Sequence, residues 1–150
     1  MEDDLIDTTF HKLEEKYGVE DISSLPPIVA TFVLVYAAQG VIDNGGFKYF
    51  FGEDWPNQPP YSVFVDAYAA IGCPEQAKDL ARVAASFPFR NPHLFRDLRK
   101  MYMTENYDED NLHVKGWGEA LCGDEEVWQK LEQFILEHRP ELDIALGQGR

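Results

Sequence analysis

"PIVATFVLVYAAQGVIDNGGFKYFF", residues 27–51, is the stretch on which the fold turns. It is apolar nearly all round, the composition of a helix buried on every side. Two prolines, Pro26 and Pro27, stand where a first helical turn tolerates them, with Ser23 or Ser24 before them as a cap. Val29, Thr31, Val33 and Val35 are β-branched and make a strand the competing assignment. The length of the run favours a central helix reaching about Asp43. Asn44-Gly45-Gly46 is expected to end it, because Asn and Gly accept the left-handed backbone of a helix terminus. "FKYFF" then reads as a short helical turn. Gln39 and Gly40 interrupt the run before the roughly 18 consecutive apolar residues that mark a membrane span.

Outward from this stretch the signals are helical too. Residues 4–16 carry Leu5, Ile6, Phe10 and Leu13 at helical spacing, with Gly18 as a stop. "GEDWPNQPP" is a loop. Residues 61–72 place Phe64, Val65, Tyr68, Ala69 and Ile71 on one side. "CPEQAKDLARVAASF" begins a helix at Pro74, and Ala77, Leu80, Ala81 and Ala84 form its stripe. Another helix is expected from about Pro92, then an acidic loop, "TENYDEDNLH". Asp124 caps a last long helix over 125–138, whose seam is Val127, Trp128, Leu131, Phe134 and Ile135, and Pro140 limits its extension. The expected fold is all-α: a single compact domain of six to eight helices over 1–150, with no repeat or linker dividing it.

Charge is the strongest compositional feature. The 150 residues hold 27 acids against 13 Lys and Arg, a net of −14. Residues 1–21 hold eight acids and two bases, 105–143 hold twelve acids and three bases, and the middle, 22–104, has seven of each. The acid therefore sits at the two ends of the chain. Brought together, those ends would repel nucleic acid and membrane surfaces and attract a basic protein. The opening "MEDDLIDTTF" is acidic, unlike a secretory leader, and the expected location is cytoplasmic. Cys73 and Cys122 are then expected to be reduced.

Motifs for chemistry are missing. No H-E-x-x-H and no pair of C-x-x-C motifs marks a zinc site, and the histidines, His11, His93, His113 and His138, are scattered. "DEDNLHVKGWGE" begins like a calcium loop, but His113 stands at the sixth position, which needs glycine. Neither a phosphate loop nor a G-x-S-x-G elbow is present. The chain is read as non-enzymatic, with no metal and no cofactor.

Three blocks of sequence carry a resemblance. "VIDNGGFKYFF" resembles the N-N-G-G-F-x-Q-Y-F-type signature of a widespread bacterial domain family of unknown function that includes an acidic DNA-mimic protein. "VDAYAAIGCPEQAKDLARVAASFP" is similar to that family's next segment, and "GDEEVWQKLEQFILEHRPEL" to its closing helix. The family-like core covers about residues 30–142. Asp43, where the family often has Asn, and Lys48, at a position often acidic, depart from the pattern. The resemblance implies an all-helical fold and a protein that engages a DNA-binding partner in place of DNA.

Two surfaces are candidates for function. The acidic one comprises Asp108, Glu109 and Asp110 in the loop, Glu125 and Glu126 on the last helix, and Glu14 and Glu15 on the first. Its partner would be a basic protein, either a DNA-binding protein or a nuclease blocked in the manner of an immunity protein or antitoxin, with no direct contact to nucleic acid or membrane. Carboxylates four apart on a helix are separated by about 6 Å of rise, close to two phosphate steps of one DNA strand. The last helix does not sustain such a row, since Gln129 and Gln133 follow Glu125, and Lys130 follows Glu126. The other candidate is a pocket at Asn44, Gly45, Gly46, Phe47 and Tyr49 for a small ligand or an enzymatic reaction. Against it stands the architectural reading, a tight turn with core aromatics beneath. Arg90, Arg96, Arg99 and Lys100 form a locally basic segment, expected to pair with the acidic ends or to serve a homodimer contact.

Overall fold

A computed structural model describes residues 2–18, 25–106 and 124–147. Among these residues there are seven α-helices and no strand: α1 (Glu2–Tyr17), α2 (Pro27–Gly52), α3 (Ser62–Ala70), α4 (Pro74–Ala85), α5 (Arg96–Asn106), α6 (Glu125–Glu137) and α7 (Arg139–Ala145), with a 3₁₀ turn at Pro92–Leu94. The all-α class is as the sequence implied. Ser23 and Ser24, the proposed caps, lie outside the described residues.

The β-branched residues of 29–35 are helical. Their strand preference is outweighed by burial from all directions: Phe32, Val33, Leu34 and Val35 are consecutive and all buried. α2 packs against α1, α3, α5, α6 and α7, while α4 lies on α3. Contrary to the expectation from Gln39 and Gly40, α2 is long and apolar enough by composition to cross a bilayer. Here the other helices cover it. Gln39 is fully buried, and its amide is satisfied within the protein.

Asn44-Gly45-Gly46 ends the first helical run, as expected, and a second run follows directly across a sharp kink, the two together making up α2. Gly45 (φ −158°, ψ 15°) and Gly46 (φ 67°, ψ −162°) leave helical geometry, and the chain then resumes helix as far as Gly52. Gly46 occupies a region open essentially to glycine alone. Gly45 is required for space, because a Cβ there would lie 2.2 Å from a ring carbon of Tyr49. The bend delivers Phe47, Phe50 and Phe51 into the core, each without solvent exposure. Phe50 and Phe51 meet Tyr61, Phe64 and Phe87 at ring-centroid distances of 4.8–5.7 Å, largely edge to face, the arrangement aromatic quadrupoles prefer, and Phe47 meets Phe51 at 5.5 Å.

Gly72, at φ +93°, closes α3, and the Cys73 N–H donates to the Tyr68 carbonyl at 2.9 Å. Pro74 opens α4 as expected. The helix expected from Pro92 is split: Phe95 (φ −126°, ψ 78°) separates the 3₁₀ turn from α5. Asp124 caps α6, its Oδ1 accepting from the Glu126 N–H at 2.9 Å. Pro140 limits α6 as expected, since that helix stops at Glu137. The same proline sits in the first turn of α7, where its missing N–H costs nothing. Tyr17 donates its hydroxyl to the Ala145 carbonyl at 2.7 Å, tying α1 to α7.

These backbone requirements separate three glycines. Gly46→Ala should destabilise by about 1–3 kcal/mol through backbone strain. Gly40→Ala, in a helix interior with open space around the position, should be neutral or stabilise by up to about 1 kcal/mol. Gly45→Ala should also destabilise, and Tyr49→Ala in the same chain should recover part of the loss. Denaturant melts of the variants check this, and equal effects at positions 40 and 46 would contradict the assignment.

Candidate functional site

The acidic candidates are distributed unequally over the structure. Asp108, Glu109 and Asp110 lie outside the described residues. Glu14 and Glu15 are exposed on α1. Glu125 and Glu126 are exposed in the first turn of α6, where the helix dipole favours them. α1 and α6 pack against each other, so the helices bearing these two clusters are neighbours.

A polar seam runs where α1, α2, α4 and α6 meet, and only part of it was foreseen. On α1, Asp7 Oδ1 accepts the Tyr36 hydroxyl at 2.9 Å, and Phe10 stacks on the Tyr36 ring at 4.1 Å. Tyr36 meets Trp128 edge to face at 6.0 Å. The Trp128 indole N–H donates to Asp43 Oδ2 at 2.9 Å. The other oxygen of Asp43 accepts from Gln39 Nε2 at 2.8 Å, and Gln39 Oε1 accepts the Tyr68 hydroxyl at 2.9 Å. Across the α4–α6 boundary, Gln76 Nε2 donates to Asp124 Oδ2 at 3.1 Å and to Glu126 Oε1 at 2.7 Å.

The donors that hold Asp7, Asp124 and Glu126 are a phenol, a carboxamide and a backbone N–H. None of these three acids enters a salt bridge within the described residues. Neutral donors fix a carboxylate without cancelling its charge. Neighbouring groups register that field. Burial, then the bond to Asp7 and the charges of Asp7 and Glu14, push the Tyr36 phenol up to about 12. Burial, then Glu126 and Asp124, push the Cys73 thiol up to about 11, with Lys130 opposing them. Burial and then Asp43 raise Tyr68 well above its ordinary value. Cys73 is a free, buried thiol; Cys122 is outside the described residues.

Within the basic segment, Arg99 does something other than neutralise the ends. Arg99 is fully buried. Its Nε donates to the Phe51 carbonyl (2.8 Å), Nη1 to the Pro92 carbonyl (2.8 Å), and Nη2 to the Glu53 carbonyl (3.0 Å) and Asp54 Oδ1 (2.7 Å). Thus Asp54 is Arg99's ion-pair partner. Arg96 Nε donates to the Gly52 carbonyl at 3.3 Å. Among the described residues no ion pair joins Arg90, Arg96, Arg99 or Lys100 to an acid of either end. The sequence did carry a signal for Arg99: with Tyr102 and Met103 it shares the i, i+3, i+4 face that α5 turns inward.

Of the residues named for a pocket at the glycine turn, Gly46 and Phe47 are buried, and Asn44 turns its amide back to the Gly40 carbonyl at 3.1 Å. Tyr49, 55% exposed, lines a cleft with residues of α5. A separate, almost wholly apolar hollow lies among Phe10, Val33, Leu34, Trp55, Pro59 and Phe64. No group of three or more His, Cys, Asp or Glu able to hold a metal ion occurs among the described residues.

Two measurements test this geometry. Arg99→Met should cost about 3–5 kcal/mol, because it leaves buried carbonyls and Asp54 without their donor. Asp54→Asn should cost less, since its side chain is 43% exposed and three of the four bonds go to carbonyls. A larger loss for Asp54→Asn in denaturant melts would place the stabilisation in the ion pair instead. The second measurement is pH dependence. Cys73 and Tyr36 hold their protons in the folded chain above the pH at which the unfolded chain releases them. Their contribution is therefore complete below about pH 9 and is lost as pH rises to about 12. Stability should fall through that window, and Cys73→Ala should flatten the portion between about pH 9 and 11. An unchanged profile in Cys73→Ala would exclude the thiol as its source.

A family model described as DMP19-like protein matches residues 23–138, well over half of the chain. No curated protein and no solved structure matches it. The extent of the match includes the glycine turn of α2, the Arg99 clamp and all of α6, and the chain belongs to the DMP19-like protein family.

Proposed function

We propose that the chain is an acidic protein-interaction module of the cytoplasm that binds a basic protein without catalysis or cofactor, and that it does so as a DNA mimic, occupying a surface its partner otherwise presents to DNA. The observation that carries this is the set of carboxylates held by neutral donors. Asp7, Asp124 and Glu126 are positioned by Tyr36, Gln76 and the backbone and keep their charge. A DNA backbone presents charge in the same manner, fixed in place and not paired within the molecule. Acids needed only for solubility require no such tethering. The packing of α1 on α6 supports the reading, because it brings together the helices that carry Glu14, Glu15, Glu125 and Glu126. No straight row along α6 is required. The mimic combines helices, as the interruption by Gln129 and Lys130 demands.

The test is retention of a partner from native lysate on the immobilised chain at low salt, with elution by salt steps and by a competing duplex. One basic DNA-binding protein should be retained and displaced by duplex. Glu125→Lys with Glu126→Lys, and separately Glu14→Lys with Glu15→Lys, should weaken its binding about tenfold or more while helical content is kept. Retention indifferent to duplex and to both reversals would overturn the proposal.

A further inference from the structure

The cleft between the second part of α2 and α5 is anomalous in a chain of net charge −14. It encloses about 190 Å³ and is lined by Lys48, Tyr49, Gly52, Glu53, Arg96, Lys100, Met103 and Thr104. Lys48, Arg96 and Lys100 thus bring three cations to one small space, against one carboxylate. No salt bridge within the described residues neutralises any of the three. Like charges so gathered repel one another, and an anion relieves that repulsion.

The cleft is also built rather than improvised from long side chains. Arg99, beneath it, ties the end of α2 to the 3₁₀ turn, so the two walls have a fixed relation. Met103, 1% exposed, forms an apolar floor. The Tyr49 ring is seated over Gly45 at the turn of α2. Arg96 is anchored through Nε to the Gly52 carbonyl, which leaves its two terminal nitrogens for a bidentate acceptor. Tyr49 and Thr104 add hydroxyl groups that can donate.

We propose that this cleft is a binding site for a phosphate dianion, free or as a monoester. Three cations less one carboxylate leave two positive charges, which a dianion matches. The guanidinium fork suits phosphate oxygens in particular. The exposed Tyr49 face gives a ring-bearing ester a surface on which to lie. The site is independent of the acidic seam, and neither proposal needs the other.

Inorganic phosphate and phenyl phosphate are the probes, titrated at constant ionic strength against ¹⁵N-labelled protein, with acetate as the monoanion control. Saturable binding in about the millimolar range is expected, with amide shifts confined to residues 48–53 and 96–104 and little response to acetate. Tighter binding of phenyl phosphate would assign a ring-bearing ester as the ligand, and equal binding would assign the phosphate group alone. Lys48→Gln with Lys100→Gln, which breaks no hydrogen bond described above, should weaken binding about tenfold or more. Lys78→Gln, at a remote lysine paired with Glu75, should leave it unchanged. Arg96→Gln should also weaken binding, and the double lysine variant keeps the test decisive if that protein does not fold. The proposal is overturned by non-saturable shifts spread over other lysines, by equal binding of acetate, or by a double lysine variant that binds like the parent. Capture of a basic partner by the acidic face should be the same in all these variants, so failure here leaves the DNA-mimic proposal standing.

Discussion

The guanidinium of Arg99 holds together the part of the molecule that α2 alone could not finish. A helix leaves its last carbonyls without intrahelical donors. Here that end lies against the core, with Phe50 and Phe51 fully buried. Arg99 supplies N–H groups to the carbonyls of Phe51 and Glu53, and the same fork reaches Pro92. One side chain thereby joins the end of α2, the following loop and the 3₁₀ turn before α5. An apolar residue in its place would leave the Phe51 and Glu53 carbonyls without this donor, while the Pro92 carbonyl would keep only the Phe95 N–H. Lysine would be a poor substitute, since a point charge cannot reproduce the planar fork. The positions of Trp55, which donates to the Phe50 carbonyl, and of Tyr61 against Phe51 follow from this closure.

Much of the fold was legible because periodicity and punctuation are local. Pro27, Pro74 and Asp124 mark helix starts by their own chemistry. The seam of α6 at Val127, Leu131, Phe134 and Ile135 is buried where a 3.6-residue repeat puts it. The failures have physical reasons. The short helix α7 had no expectation attached to it, since seven residues carry too little periodicity to mark a helix, although the proline that limits α6 is equally suited to begin the next one. Gln39 looked like an interruption of an apolar run. It is instead a buried link between Tyr68 and Asp43, and such a link needs partners that sequence spacing does not reveal. The bond from Trp128 to Asp43 spans 85 positions and has no local signature.

The sites were less legible than the fold, since electrostatics depends on which charges are paired. Counting acids and bases located the excess at the ends of the chain but treated the segment around Arg90–Lys100 as a uniform counterweight. The structure divides it. Arg99 is consumed by carbonyls and Asp54 inside the protein. Arg96 and Lys100 join Lys48, 48 positions or more before them, in a cleft of their own. Among the described residues, the acids of the two ends consequently keep the charge that this segment would have cancelled. That retention is costly, since like charges repel within the folded state. It is tolerated because the aromatic core and the Arg99 closure are built from other residues.

What separates a recognition surface from an acidic coat is the freedom of its charges. An untethered glutamate samples many rotamers, and its charge is averaged over them. A partner must then bear the entropy of ordering it, up to about 2 kcal/mol for a long side chain. Asp7, Asp124 and Glu126 are already ordered by donors that carry no charge. The cost of fixing them is met on folding, and binding can proceed without it. Cationic tethers would fix them equally well but would cancel the field at short range. Beyond roughly 8 Å, salt at physiological strength screens most of what remained. Tyrosine and glutamine as tethers resolve that conflict, since they give position and leave the charge. On the proposed function, the neutral residues Tyr36 and Gln76 would matter to recognition as much as the acids they hold.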